Sequence, residues 1–493
     1  MTRPAPPPSL LFASQLAALS LLALVLPMWL LAPLLLDQSI YSYVGQTILA
    51  GGAPYLDAWE HKGPLTHLFY AGGLWLKADG GVRLLDTAGA LLSLGLLYRI
   101  ASQQIAPLAG PTAVILALLY GGLAPSTMAQ TDSLTAYLLI LLLWVLLKPC
   151  TSTRLLMAGL IQGAFLMLKP TTALFGLALL WRIRHEPRPW RSLAVIAAGC
   201  SVTPALCLIW LAQHGALDAF WQAYICFNLD AHEPESISWD KLLLLGSLKP
   251  PTIVGLSQSL FLPLAGFGWW QWRRTNRHAA DTIASLVGAA LLAYYIQGLY
   301  MNNHKLPIYL PASLLAAPLI VRWNWLFILF LPRLLFIIGG GSNYPLESWQ
   351  YLCGQIDRPT YESHFAFAEF NLTQTRALAQ QIDQLTPPNS KVYIFGFNPG
   401  AYQLAHRRAP TRYFFSYPLN RGPQIAATRA QLLADLQAAP PALIALAKKD
   451  PIQLMPISSD KIFDDFTELK DFTQHNYHRA GEDESWVIYV RNP

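Results

Sequence analysis

The chain has 493 residues, of which 54% are apolar and 13% charged, with 16 tryptophans and a formal net charge of +6. A soluble globule of this length carries more charge and less apolar surface, so composition excludes that class and indicates a polytopic membrane protein. The five cysteines have no paired spacing, which argues against a zinc site or a dithiol redox motif.

The first apolar run, 10–36, is too long for a signal-peptide core and lacks a small-residue cleavage site. It reads as an uncleaved first span. About ten further runs follow, at 82–97, 105–123, 134–147, 155–168, 171–181, 192–211, 253–270, 282–299, 308–320 and 325–338, giving about eleven spans. The two runs between 155 and 181 are separated only by Lys169 and Pro170, so they form either one broken helix or two tilted ones. Arg333 stands inside the last run without a functional reading.

Basic residues set the expected orientation. With a cytoplasmic N-terminus, Arg3, Arg99, Lys148, Arg154, the group Arg182 to Arg191, the group Arg273 to Arg277 and Arg322 fall in inner loops. That is the excess expected of a cytoplasmic face. The same topology puts Asp37, Asp57, Glu60, Lys62, Asp132, Lys169, Asn303, His304, Lys305 and all of the chain beyond Gly339 on the outer side.

The connection after the first run, DQSIYSYVGQTILAGGAPYLDAWEHKGPL (37–65), crowds Asp37, Asp57, Glu60, His61 and Lys62 among aromatics where the chain leaves the bilayer. It is a candidate active site, within a first outer loop spanning 37–80. Ile40, Tyr41, Val44 and Ile48 share one helical face, which predicts a short amphipathic helix at the interface with Asp37 as its N-cap. A carboxylate so held can act as a general base toward a hydroxyl. Asp132, in AQTDSLTAYLLILLLW, also stands at a helix start, as a cap or as a second carboxylate. Lys62 and Lys169 read either as snorkelling or helix-ending lysines or as cations for a lipid phosphate. YMNNHKLPIYLPASLLAA (300–317) adds Asn303, His304 and Lys305 on the same expected side, and Glu60 with His61 forms a weak pair for a divalent metal. The long outer connection 213–251 holds an amphipathic stretch, 239–245, suited to the membrane surface beside a lipid or acceptor groove. Cys226 and Cys353 fall on the expected oxidising side, where a disulfide is conceivable.

Beyond 340 charged residues become common and long apolar runs stop. Strands are expected at 391–397, 441–447 and 486–491 and helices at 374–385, 399–406 and 424–436. The organisation expected is therefore a mainly α membrane bundle over 1–340 and an extracytoplasmic α/β domain over 341–493. A transporter or lipid-linked glycan flippase is the rival class. It would show repeated halves and polar broken helices near the midplane, whereas no internal repeat is evident and the ionisable residues gather at one surface.

Asp37 with Tyr41, followed by PYLDAWEHKGPL, resembles the first outer loop of the polyprenyl-phosphate-sugar-dependent membrane glycosyltransferases of the GT-C superfold. Within that superfold the loop looks like that of the bacterial protein O-mannosyltransferase and aminoarabinose-transferase group, glycosyltransferase family 39 in the wide sense. TDSLTAYLLILL is similar to that family's second acidic motif and HKLPIYLPASLLAA to its late motif. The resemblance implies that Asp37 is the catalytic carboxylate, Asp132 the second acid, and Lys62 with Glu60 the Glu/Lys pair near the donor phosphate. Tyr41, His61, Lys169, Asn303, His304 and Lys305 join them as donor-site residues. It further implies inverting transfer from a polyprenyl-phosphate-sugar to a glycan, lipid or protein acceptor at the cytoplasmic membrane, without nucleic acid. Cationic side chains would suffice for a monophosphate leaving group in place of a metal. The pattern departs at Gln38, where many members have a second acid, at Ile40, where some have arginine, and at Gly63, which replaces a proline. The tail, with GFNPGAYQLAHRRAPTRYFF, resembles an accessory domain in which no catalytic residues are expected.

Overall fold

A computed structural model describes residues 7–78, 80–121, 123–184, 186–230, 253–339, 344–365, 371–452 and 455–493. The amphipathic stretch expected at 239–245 lies outside the described residues. The helices up to residue 213 are α1 (Pro8–Leu31), α2 (Leu36–Leu49), α3 (Pro64–Leu76), α4 (Gly81–Gln104), α5 (Ala109–Tyr120), α6 (Thr131–Leu146), α7 (Ser152–Leu166), α8 (Phe175–Ile183) and α9 (Pro189–Gln213). Further apolar helices run over Ile253–Trp272, Arg277–Gln297, Leu306–Arg322 and Leu331–Gly339, so each of the expected apolar runs is helical. Among the described residues, five helices are long and apolar enough to cross a membrane: α1, α4, α9, Arg277–Gln297 and Asn303–Arg322. Shorter apolar helices accompany them, at Ala109–Tyr120, Thr131–Leu146, Pro170–Ile183 and Asn324–Ile338.

Packing divides the chain into two compact units. The first draws on Met1–Ala32, Asp79–Cys207 and Glu233–Gln355. Its apolar core joins α5, α6 and the helix Leu306–Arg322. In the span Asn303–Arg322, 89% of the most apolar window is buried, against 17% in α1. Phe12, Leu16 and Leu19 of α1 are exposed, an outward apolar face that lipid tails stabilise and water does not.

Between α7 and α8 the helix breaks at Lys169. Pro170 cannot continue an α-helix without losing a hydrogen bond, and it opens the 3-10 turn Pro170–Leu174 instead. Thr172 Oγ1 donates to the Phe165 carbonyl (2.6 Å) and the Lys169 carbonyl (2.5 Å), closing the gap. The break turns Lys169 out of helical register while its backbone stays satisfied. Arg333, unexplained from sequence, donates Nε to the Leu119 carbonyl at 2.9 Å.

The second unit takes Pro33–Ala78, Leu208–His232 and Ile356–Pro493. Packing therefore does not follow the compositional boundary near 340: the opening loop belongs with the tail. The tail's sheet has four strands, β1 (Val392–Phe395), β2 (Leu443–Ala447), β3 (Tyr477–Glu482) and β4 (Trp486–Arg491), in the order β1-β2-β4-β3. β1 and β2 are parallel with Val392 opposite Leu443, and the other pairs are antiparallel. The parallel pair is buried throughout, which is why VYIF and LIALA read as unbroken apolar runs. β3 was not expected, because an exposed edge strand, YHRAGE, carries no apolar alternation.

α2 differs from the expected interfacial helix. Gln38, Ser39, Ser42 and Thr47 are buried along with Ile40, Tyr41 and Val44, so its polar face is covered too. Tyr43 stacks on Phe414 at 4.0 Å and accepts a hydrogen bond from the Ala409 amide (3.0 Å). Arg408 donates to the Gln46 carbonyl (3.0 Å), and Gln403 hydrogen-bonds Ser42. On its other side α2 meets α3 closely enough that a Cβ at Gly45 would lie 2.9 Å from the Ala71 amide nitrogen.

Candidate functional site

The sequence-derived candidates gather in two clusters, one in each unit. In the first unit α6 begins at Thr131, and its N-cap is Gln130, whose amide donates to Ser133 Oγ at 3.0 Å. Asp132 therefore does not cap the helix. Its side chain meets Lys169 Nζ, at 3.2 Å from Oδ1 and 3.3 Å from Oδ2. Asn303 Nδ2 donates to Oδ2 (3.5 Å), and His304 Nε2 stands 3.8 Å from the same oxygen. Asp132, Lys169 and His304 are all buried. A buried carboxylate needs such partners, since an unpaired one would carry a large desolvation cost. Lys305, also buried, turns away and donates to Asn302 Oδ1 at 3.1 Å.

Two ionisable residues of the same unit were missed by sequence reasoning. Arg83 and Asp86 are fully buried on α4. Arg83 donates Nε to the Ala32 carbonyl (3.0 Å) and Nη1 to the Pro125 carbonyl (3.3 Å), while Asp86 Oδ1 accepts from Ser133 Oγ at 3.3 Å. Asp86 steadies Ser133, the residue that closes the α6 cap. Two ionisable residues three apart inside an apolar run were the available signal.

In the second unit Asp37 occupies the second position of α2, and Leu35 is the N-cap. Gln38, where an acid was missing from the family pattern, closes this end: the Leu35 amide donates to Gln38 Oε1 at 2.8 Å. The N-cap role expected for Asp37 is thus corrected, as it is for Asp132. Asp37 is half-buried.

Glu60, His61 and Lys62 form a chain of polar contacts. The Lys62 amide donates to Glu60 Oε2 at 2.5 Å, and Tyr55 Oη donates to the Lys62 carbonyl at 2.8 Å. Lys62 Nζ lies 2.7 Å from His61 Nε2, and His61 Nδ1 lies 3.2 Å from Glu60 Oε1. An ammonium can only donate, so Nε2 accepts and the ring proton sits on Nδ1, facing the carboxyl. Burial raises the Glu60 pKa from 4.5 to about 7; the Lys62 charge and the Lys62 and His61 amides oppose the rise, and the Asp37 charge adds to it.

His67, also missed, lies 3.4 Å from Glu60 Oε2. Burial pushes its imidazole down to about 3, so it is neutral and the contact is polar rather than an ion pair. Tyr41 packs edge-on against His67 (6.3 Å) and Tyr70 (5.5 Å), a buried wall residue.

Distant segments hold this loop. Asn228 Nδ2 donates to the His61 carbonyl at 2.7 Å, and the Trp59 amide donates to the Arg412 carbonyl at 2.8 Å. Trp59 and His61 sit among Phe227, Phe415 and Tyr417, with His61 stacked on Tyr417 at 5.7 Å. Asp57 Oδ2 accepts from the Ala53 amide (2.7 Å), a turn-closing role. Cys226 and Cys353 are free thiols, so the conceivable disulfide is not formed. Among the described residues no group of three or more His, Cys, Asp or Glu is arranged to hold a metal ion.

Residues 63–294 match the model of glycosyltransferase family 87. In fold the chain is similar to ArnT from Cupriavidus metallidurans bound to undecaprenyl phosphate, with 13% identity and a TM-score of 0.61 over 98% of this chain and 99% of that one. The apo state of the same protein gives 14% identity and a TM-score of 0.61 over the same shares. No curated protein matches the chain in sequence. At such identity the structural likeness concerns the fold, a polytopic helical bundle of the GT-C type with its appended α/β region.

Proposed function

We propose that this chain, a membrane glycosyltransferase of the GT-C type, moves a sugar from a polyprenyl-phosphate donor to an acceptor hydroxyl on the outer side of the cytoplasmic membrane. The observation that carries the reading is the first-loop constellation. Asp37 stands at the start of a fixed helix, and its charge reaches Glu60, itself linked through His61 to Lys62.

Asp37 takes the proton of the acceptor hydroxyl as that oxygen forms its bond to the anomeric carbon. The bond from that carbon to the phosphate oxygen breaks on the opposite face, which inverts the centre and leaves its electron pair on the phosphate. Lys62 is the first-loop cation for that charge. In the other unit, Asn303 and His304 line the buried Asp132–Lys169 pair, with Lys305 nearby in sequence. We assign that cluster to fixing Asp132 and Lys169 within their own unit. The undecaprenyl phosphate bound in the ArnT structure supports a lipid-phosphate donor for this fold.

Mass spectrometry of isoprenoid phosphates and envelope glycans, from cells with and without the protein, tests the reading. A glycosylated polyprenyl phosphate should accumulate when the protein is absent, together with loss of one sugar from an envelope component. Unchanged pools of both would refute it.

A further inference from the structure

The proposed reaction does not use the Tyr417 hydroxyl of the C-terminal segment, which is buried beside the first loop. Tyr417 begins the 3-10 turn Tyr417–Leu419, after the aromatic stretch RYFFS. Its ring is 5% exposed and stacks on His61 at 5.7 Å, runs nearly parallel to Phe415 (6.3 Å) and meets Phe227 at 5.8 Å. Its hydroxyl is buried and has no hydrogen-bond partner among the described residues. Leaving such a group unsatisfied destabilises the fold. Phenylalanine would make the same ring contacts without that cost, so the stack alone does not explain a tyrosine.

The turn is held rigidly. The Ser416 amide donates to the Gly396 carbonyl (2.9 Å), and Asn420 Nδ2 donates back to the Ser416 carbonyl (2.8 Å). Arg429 clamps it from outside, Nε to the Leu419 carbonyl and Nη2 to Asn420 Oδ1, both at 2.9 Å. Gly422 has φ of +108°, and a Cβ there would lie 2.6 Å from the Phe227 ring, so the chain passes flat against that ring only as glycine. Arg421 therefore sits between a clamped turn and a close approach. Its charge, like those of Glu60 and Asp37, acts on the Tyr417 phenol. Burial first of all pushes that phenol up to about 12, with Arg421 opposing and the two carboxylates adding. It remains a protonated donor at neutral pH.

We propose that the Tyr417 hydroxyl and the Arg421 guanidinium form a phosphate-binding subsite, through which the C-terminal segment grips the anionic head of the polyprenyl phosphate beside the first loop. Asp37 and Glu60 already supply acceptors, whereas a phenol that donates and a second cation complement an oxyanion. As the sugar leaves, the phosphate gains negative charge and the Tyr417 hydrogen bond strengthens, with no proton transferred. The inference rests on the transferase reading and adds to it that the tail is part of the site.

Full-length wild type, Tyr417→Phe and Arg421→Gln in lipid nanodiscs should be compared for binding of undecaprenyl phosphate and of uncharged undecaprenol, alongside their melting points. Tyr417→Phe should weaken undecaprenyl phosphate binding about tenfold, leave undecaprenol binding unchanged, and melt at or above wild type because an unsatisfied buried group is removed. Arg421→Gln should weaken phosphate binding at least as much. If Tyr417→Phe binds the phosphate as wild type does, or melts markedly lower, the subsite is overturned and the transferase reading stands. If wild type itself does not prefer the phosphate to the alcohol, both fail.

Discussion

α2 and α6 begin with the same local device and end in different chemistry. Each carries an aspartate at its second position, Asp37 and Asp132, and in each the following residue closes the cap, Gln38 onto Leu35 and Ser133 onto Gln130. Asp132 is buried and balanced at once by Lys169, Asn303 and His304. Around the first loop, by contrast, Glu60 is drawn toward neutrality by burial, His67 is neutral, and the Lys62 ammonium meets His61 while its amide donates to the carboxyl. The lesson is that a helix start with an acid in its first turn sets only position. What surrounds that acid is decided by groups far away in sequence.

Removing one partner of the locked pair is expected to have the largest effect. Asp132→Asn leaves the buried Lys169 charge without its counter-ion and should lower stability in detergent by about 3–5 kcal/mol. Asp132→Leu combined with Lys169→Met should recover most of that loss, because no buried charge remains. A single mutant as stable as wild type, followed by urea unfolding, would erase the distinction between the clusters.

The first loop should reveal itself by pH. The folded-state pKa of Glu60, about 7, lies above its ordinary 4.5. Its contribution to stability is therefore complete below about pH 4.5 and lost as pH rises through about 7. The two values correspond to about 3 kcal/mol. Relative to Glu60→Gln, wild type should lose roughly that stability between pH 4.5 and pH 8. Parallel stability curves for the two proteins would show that Glu60 keeps an ordinary carboxyl environment, and the comparison would lose its titrating half.

Much of this was legible in the sequence. Long apolar runs declared the helices, and the charged tail with VYIF, LIALA and WVIYVR declared the small sheet. Asp132, Lys169, Asn303 and His304 were singled out from three separate segments, and the fold brings them within hydrogen-bonding or ion-pair reach. The burial of α2 was not legible, because Ser39, Ser42 and Gln46 look like a solvated face until Gln403, Arg408 and Ala409 are known to cover that helix. For the same reason Tyr417 and Arg421 gave no signal: an aromatic run and a turn in a soluble tail read as ordinary packing. Lys305, beside His304 in sequence, turns to Asn302 because the 3-10 turn Asn303–Lys305 rotates consecutive side chains apart.

The most direct test is single-turnover transfer by purified, reconstituted protein carrying Asp37→Asn, with undecaprenyl phosphate binding measured on the same sample. The mutant should bind the lipid phosphate and melt like wild type while transfer falls by about 10²–10⁴-fold, the range a general base supplies. Transfer at the wild-type rate would contradict the assignment of Asp37 and with it the mechanism built on the first loop.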